Sequence, residues 1–167
     1  KGQWREYVHN VLTTKNSYKL IDADGNFKYK WLEPIGTGAL PFTQLIQSGR
    51  IQESQLIGVD LDPKDPEGSK KNIEDCKIKF PQAEFKSMDW ASYCRRCEHK
   101  DIGYFIFDLY FSTFGENLEK YVKHTIPLID NCKENIGEVL LVVNCDFGIA
   151  KRRNKGTAEE FAGQLEK

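Results

Sequence analysis

The stretch LEPIGTGALP, residues 32–41, reads as an apolar strand that passes through two spaced glycines into a helix. Glu33 closes the strand, and Gly36 and Gly38 permit a tight turn that side chains would obstruct. Apolar residues then recur at helical spacing from Phe42 onward. A strand, a turn and a helix in this order predict the first unit of an α/β fold.

The same alternation continues along the chain. Residues 55–61, QLIGVDL, are apolar on both faces, as a buried parallel strand should be. Pro127 predicts a break or kink in a helix after the fourth strand. The further strand-like runs are residues 83–89, 101–111 and 138–147. The pattern predicts an α/β three-layer sandwich, a mainly parallel sheet of order 3-2-1-4-5 with helices on both faces.

The two ends of the chain add smaller pieces to this single predicted domain. Residues 1–29 predict an amphipathic helix and a hairpin that turns at Ala23–Asn26. Residues 30–150 form the predicted core. Residues 151–167 begin with the charged loop KRRNKG and continue into a helix with a capping box. No strand pattern follows Phe147, so a closing pair of strands is expected to be missing.

Composition narrows the function classes. The 167 residues carry 24 Lys and Arg against 25 Asp and Glu, a net charge of -1, which provides no global attraction to nucleic acid or anionic membrane. No apolar run reaches the roughly 18 residues of a membrane span, and the start has no signal-peptide core. Five cysteines, an odd number, favour reduced thiols in the cytoplasm. The chain starts with Lys, so a piece of a longer protein is expected.

Carboxylates close four successive predicted strands. They are Glu33, Asp60, Asp89 and Asp108. Ligands of an open parallel sheet bind outside the carboxyl ends of its strands, so these acids are expected at one binding edge. Any one of them also suits a helix cap or loop residue. Asp60 follows Gly38 at close to the spacing of the acid that binds ribose hydroxyls in nucleotide-binding units, which indicates an adenosine-containing ligand.

Residues near the glycine turn narrow the choice of adenosine ligand. Pro41 occupies the place of the third glycine in the dinucleotide fingerprint, and Gly-Lys-Ser/Thr, which an ATPase loop requires, never appears. Glu33 would repel a pyrophosphate. A carboxylate there favours a ligand with an ammonium group, such as the methionyl end of S-adenosylmethionine.

Five segments together resemble the successive motifs of the class I S-adenosylmethionine-dependent methyltransferases, a Rossmann-like family. The segments are WLEPIGTGAL, IGVDLDP, KKNIED, AEFKSMDW and YFIFDLYFST. The resemblance covers roughly residues 30–147, and its most specific part is GVDLDP followed by KKN. It implies one methyltransferase-like domain whose cofactor-binding core is residues 30–150.

The resemblance also implies roles for individual residues. Gly36, Thr37 and Gly38 would pass under the methionyl group, with Glu33 near its ammonium. Asp60 would hold the ribose hydroxyls.

The remaining implied roles concern the adenine and the methyl group. Leu61 would lie against the adenine, Asp89 would accept from its amino group, and Trp90 would border the ring. Asp108 would border the methyl donor and the substrate.

Several questions stay open at this stage. The expected function is methyl transfer to an unidentified acceptor, which is a nucleic acid, a protein or a metabolite. No catalytic residue is assigned, because an activated methyl group needs alignment more than a general base. The alternatives are an inactive methyltransferase-like scaffold that binds or regulates, and an NAD-type nucleotide-binding domain.

Two other patterns are weaker. Residues 142–153 imitate the Asp-Phe-Gly segment of protein kinases, but Ile126 occupies the place of the catalytic Asp. Cys94, Cys97 and His99 include zinc-ligand types without the second pair that a structural site needs. No metal site is predicted.

Overall fold

The computed structural model describes residues 19–60, 65–108 and 116–144. Five parallel strands form one sheet in the order β3-β2-β1-β4-β5. This order confirms the predicted 3-2-1-4-5 sheet. The strands are β1 Lys30–Pro34, β2 Leu56–Val59, β3 Glu84–Lys86, β4 Ile102–Asp108 and β5 Leu140–Asn144.

The strand register brings the carboxyl ends together along one edge. Pro34 at the end of β1 pairs with Val59 at the end of β2, and Val59 pairs with Lys86 at the end of β3. On the other side, Asp108 of β4 pairs with Asn144 of β5. The residues that follow β1, β2 and β3 therefore emerge as neighbours at the carboxyl edge.

Four helices connect the strands in the described residues, and a proline or an Asp cap marks where the first three begin. They are α1 Leu40–Gln47, α2 Pro66–Lys79, α3 Trp90–Arg96 and α4 Glu116–Ile136. Pro41 lies in the first turn of α1, where its missing N–H costs nothing. The Asp65 carboxylate accepts the Gly68 amide at the start of α2. Helix α4 continues through Pro127, so the predicted break is wrong, and the alternative prediction of a kink there stays a prediction.

The helices divide between the two faces of the sheet and give it two cores. On one face, Phe42 of α1 and Ile73 of α2 belong to the cluster that contains Trp31. On the other, Trp90 of α3 and Leu128 of α4 belong to the cluster that contains Leu32. Trp31 and Leu32 are adjacent in β1 and point to opposite faces, so the three layers follow from strand alternation.

The predicted hairpin is present before β1. Ile21 and Phe27 form an antiparallel bridge, and Asp22 Oδ1 accepts the amides of Asp24 and Asn26 across the turn. Gly25 has a φ of 80°, which suits glycine. These bonds hold the pKa of Asp22 below its usual value, the side-chain bond from Asn26 being the largest cause. The helices predicted at the two ends of the chain lie outside the described residues.

Candidate functional site: a cleft at the carboxyl edge

A cleft of about 470 Å³ opens at the carboxyl edge, between the loop after β1 and the first half of α2. Gly36 and Asp60 line it from the sheet side, and Asp65, Gly68, Ser69, Lys71, Asn72 and Asp75 line it from the helix side. The sequence predicted Gly36 and Asp60 here, and the register of β1 and β2 is what brings them together.

The loop after β1 has one glycine that the backbone requires and one that it does not. Gly38 has a φ of 72°, in the left-handed region that other residues avoid. Gly36 has a φ of -97° and a ψ of -169°, which any residue adopts. A Cβ built on Gly36 would meet nothing within 4 Å. The protein itself therefore gives no steric or conformational reason for a glycine at 36.

Asp60 directly follows β2, and hydrogen bonds hold both its backbone amide and its carboxylate. Its amide donates to the Lys86 carbonyl at 3.1 Å, which extends the pairing of β2 with β3 by one residue. Its Oδ2 accepts from Asn72 Nδ2 at 2.8 Å. The carboxylate is thereby fixed at the wall of the cleft.

Asn72 is the residue that the sequence reasoning missed. The segment KKN was recognised, but no role was given to its last residue. Its Oδ1 accepts the Gly38 amide at 2.8 Å, and its Nδ2 also reaches the Gly36 carbonyl at 3.3 Å. The KKN segment is the signal that the sequence offers, but it does not identify partners 34 and 36 residues away.

Lys79 holds the same loop from outside the cleft. Its ammonium donates to the Gly38 carbonyl at 3.3 Å and to Thr43 Oγ1 at 2.8 Å. Lys79 lies in the last turn of α2, where a cation also interacts favourably with the helix dipole. Both Asn72 and Lys79 therefore connect α2 to the glycine loop.

Glu33 is fully buried at the end of β1. Its Oε2 accepts from the indole Nε1 of Trp31 at 2.9 Å, on the same face of the strand. The predicted contact with a ligand ammonium stays a prediction, and it requires the ligand to reach a carboxylate that has no exposed surface.

Asp89 and Trp90 begin α3. Asp89 Oδ1 accepts the Ser92 amide at 3.0 Å, so this acid caps the helix, the alternative that the sequence left open. Trp90 is buried, and its Nε1 donates to Thr125 Oγ1 of α4 at 2.8 Å. Their predicted contacts with adenine stay predictions.

Three other predicted residues are described only in part. Thr37 opens the 3₁₀ turn Thr37–Ala39, and Asp108 is the last residue of β4. Their side chains lie outside the part of the chain that is described. Leu61 lies wholly outside it.

The cleft is acidic. Its lining includes three acids, Asp60, Asp65 and Asp75, and one base, Lys71. Asp65 also caps α2. Burial raises the pKa of the neighbouring Cys76 thiol, which therefore stays protonated and donates towards Asn72 Oδ1 at 3.8 Å. This charge balance disfavours a pyrophosphate and suits a neutral or cationic ligand.

A second polar cluster lies at the opposite, amino edge of the sheet. His99 Nε2 lies 2.8 Å from Glu84 Oε2, and His99 Nδ1 lies 2.9 Å from Lys30 Nζ. Asp101 completes the cluster through Lys30 at 3.3 Å. The charges are paired within the cluster, which ties β1, β3 and the start of β4 together.

The cysteines near this cluster have protein partners. Cys94 Sγ lies 3.7 Å from Thr125 Oγ1, and Cys97 Sγ donates to the Tyr93 hydroxyl at 3.5 Å. Within residues 19–60, 65–108 and 116–144, no group of three or more His, Cys, Asp or Glu side chains is arranged to hold a metal ion.

No family model, curated protein or solved structure matches this chain. In the described ranges, every helix is too short or too polar to cross a lipid bilayer.

Proposed function

We propose that the chain binds S-adenosylmethionine at the carboxyl-edge cleft and transfers its methyl group to an acceptor. The observation that carries the proposal is the joining of the glycine loop and Asp60 at one cleft wall through Asn72. A carboxylate beside an open glycine turn is the arrangement that an adenosine ligand uses, with the ribose at the acid.

The residues of the cleft fit such a ligand. Among the described residues, no atom lies within 4 Å of a Cβ built on Gly36, which leaves room for a ligand to lie against the backbone. The Asp60 carboxylate supplies the charged acceptor for ribose hydroxyls. The acidic wall complements a cationic methyl donor. Pro41, in the place of the third glycine of the dinucleotide fingerprint, argues against the NAD-type alternative.

The proposed chemistry asks little of the protein beyond binding and alignment. S-adenosylmethionine supplies a methyl group already activated by a sulfonium. Asp60 would orient the ribose, and the loop at Gly36–Gly38 would fix the methionyl end. Holding donor and acceptor in line contributes several kcal/mol. A base is needed only where the acceptor carries a proton at the working pH.

A binding scaffold without catalysis is the second candidate. The burial of Glu33 against Trp31 favours it, because this carboxylate is not open to a ligand ammonium. The placement of Trp90 in the core, with its indole donating to Thr125, favours it too.

Calorimetric titration with S-adenosylmethionine, S-adenosylhomocysteine and NAD tests the proposal. We expect heat of binding with the two adenosyl compounds and none with NAD. Asp60→Ala should weaken binding at least about 100-fold, because two ribose hydroxyls lose charged hydrogen bonds of about 1.5 to 3 kcal/mol each.

Asp75→Ala is the matched control. It removes the same charge from the same cleft, but Asp75 is exposed, so we expect a loss below about fivefold. A folded wild-type chain that binds neither adenosyl compound would refute the proposed function. Binding without methyl transfer to any nucleic-acid or protein acceptor would favour the scaffold.

A further inference from the structure

The Asn72 side chain is the point at which three separate parts of the chain meet. It extends from the second turn of α2 and contacts the loop after β1 at two backbone atoms and the residue after β2 at its carboxylate.

The hydrogen-bonding capacity of this amide is fully used. Its two N–H groups go to Asp60 Oδ2 and the Gly36 carbonyl, and its oxygen accepts the Gly38 N–H and the more distant Cys76 thiol. A backbone N–H can only donate and an ionised carboxylate can only accept, so the partners fix which end is oxygen. Aspartate has the same shape but no donor, and it would place a second negative charge next to Asp60.

We propose that Asn72 is a positioning residue that holds the glycine loop and the Asp60 carboxylate as one unit. The ribose half and the methionyl half of the ligand are then recognised together rather than independently. This inference rests on the proposed function for the identity of the ligand, while the positioning itself is a property of the ligand-free chain.

The ligand-free part is tested by amide hydrogen exchange of Gly38. In Asn72→Ala the Gly38 N–H loses its acceptor, so we expect its exchange to accelerate at least about tenfold, while amides within β1 and β2 keep their protection. Asn135→Ala is the matched control: Asn135 also lies on a helix and donates to a backbone carbonyl, that of Lys100 at 3.0 Å, away from the cleft.

The ligand part is tested by calorimetry on the same variants. We expect Asn72→Ala to weaken S-adenosylmethionine binding about 10- to 100-fold and adenosine binding less, because adenosine uses only the Asp60 half. A merely structural residue would weaken both ligands equally.

Asn72→Asp provides a pH-dependent readout. Its carboxylate repels Asp60 at neutral pH, so binding should be lost. As the pH falls, one of the two coupled acids takes up a proton and a donor is regained. We therefore expect the affinity of this variant to improve towards low pH, whereas that of the wild type does not.

The outcomes separate the two proposals. A wild-type chain that binds no adenosyl compound overturns the proposed function and the ligand role of Asn72 with it. Binding by the wild type together with unchanged Gly38 exchange in Asn72→Ala, or with equal losses for S-adenosylmethionine and adenosine, overturns the role of Asn72 alone.

Discussion

Trp90 is buried at the start of α3. The resemblance to the methyltransferases implied that Trp90 borders an adenine ring, and this stays a prediction. The structure places its side chain in the core that contains residues of α3 and α4. Its indole N–H is buried and donates to Thr125 Oγ1. Leaving such a donor without a partner costs its full desolvation energy.

Replacing Thr125 by Val tests this contact. Valine keeps the shape of the side chain but cannot accept a hydrogen bond, so we expect the free energy of unfolding to fall by about 1 to 3 kcal/mol. Urea denaturation followed by circular dichroism measures the change. Adding Trp90→Phe removes the orphaned donor, and the double variant should lose less than the sum of the two single changes. Simple additivity would contradict the contact.

At the level of secondary structure, most strands could be predicted from the sequence, but the side-chain contacts between elements could not. Strands β2, β4 and β5 are runs of apolar residues bounded by polar or turn residues, so their positions follow from local pattern. β3 has a single apolar residue, Phe85, and was recognised by its place in the alternation of strands and helices. The predicted helix break at Pro127 was wrong because tertiary packing overrides the helix-breaking preference of proline. Thr125, Leu128 and Cys132, which lie on both sides of Pro127, are buried on one face of α4. Burying that face outweighs the one hydrogen bond that proline removes.

Some residues of the candidate site could likewise be predicted from the sequence and others could not. Gly36 and Asp60 were predictable because they follow strands whose order could be inferred. The roles of Asn72 and Lys79 were not predictable, because their hydrogen-bond partners depend on how α2 packs on the loop after β1. The burial of Glu33 could not be read either, since a strand-end acid is usually solvated.

A pair of glycine variants tests the elements around the loop. A Cβ on Gly58 of β2 would lie 2.8 Å from the Phe85 ring and 3.1 Å from the Ile35 side chain. Gly58→Ala should therefore lower the free energy of unfolding by about 1 to 3 kcal/mol. Gly36→Ala meets open space and should change it by less than about 0.5 kcal/mol, yet weaken S-adenosylmethionine binding. Equal stability losses in the two variants, measured by urea denaturation, would refute the described loop geometry.

At the scale of the whole molecule, buried thiols make stability depend on alkaline pH. Burial raises the pKa of Cys132 to about 11 and that of Cys94 to about 12, from an ordinary value of 9.0. Burial also raises the pKa of Tyr93 and Tyr104, which acts in the same direction. Each group keeps its proton in the folded chain at a pH where the unfolded chain has released it.

We therefore expect the free energy of unfolding to fall as the pH rises from 9.0 to about 12. Urea denaturation at pH 8, 10 and 11 measures the slope. Cys132→Ala removes one of the titrating groups, so its slope should be shallower even though its stability at pH 8 is lower. A slope as steep as that of the wild type would contradict the pKa shift at Cys132.

The cleft has walls drawn from one short portion of the chain. Its lining begins at Gly36 and ends at Asp75, and among the described residues β4, β5, α3 and α4 supply none of it. Mutations in β5, α3 and α4 therefore change no described residue of the lining, whereas β4 supports the cleft indirectly through its pairing with β1. Related proteins can therefore differ in what α3, α4 and β5 bind and still inherit the same cleft lining from residues 36–75.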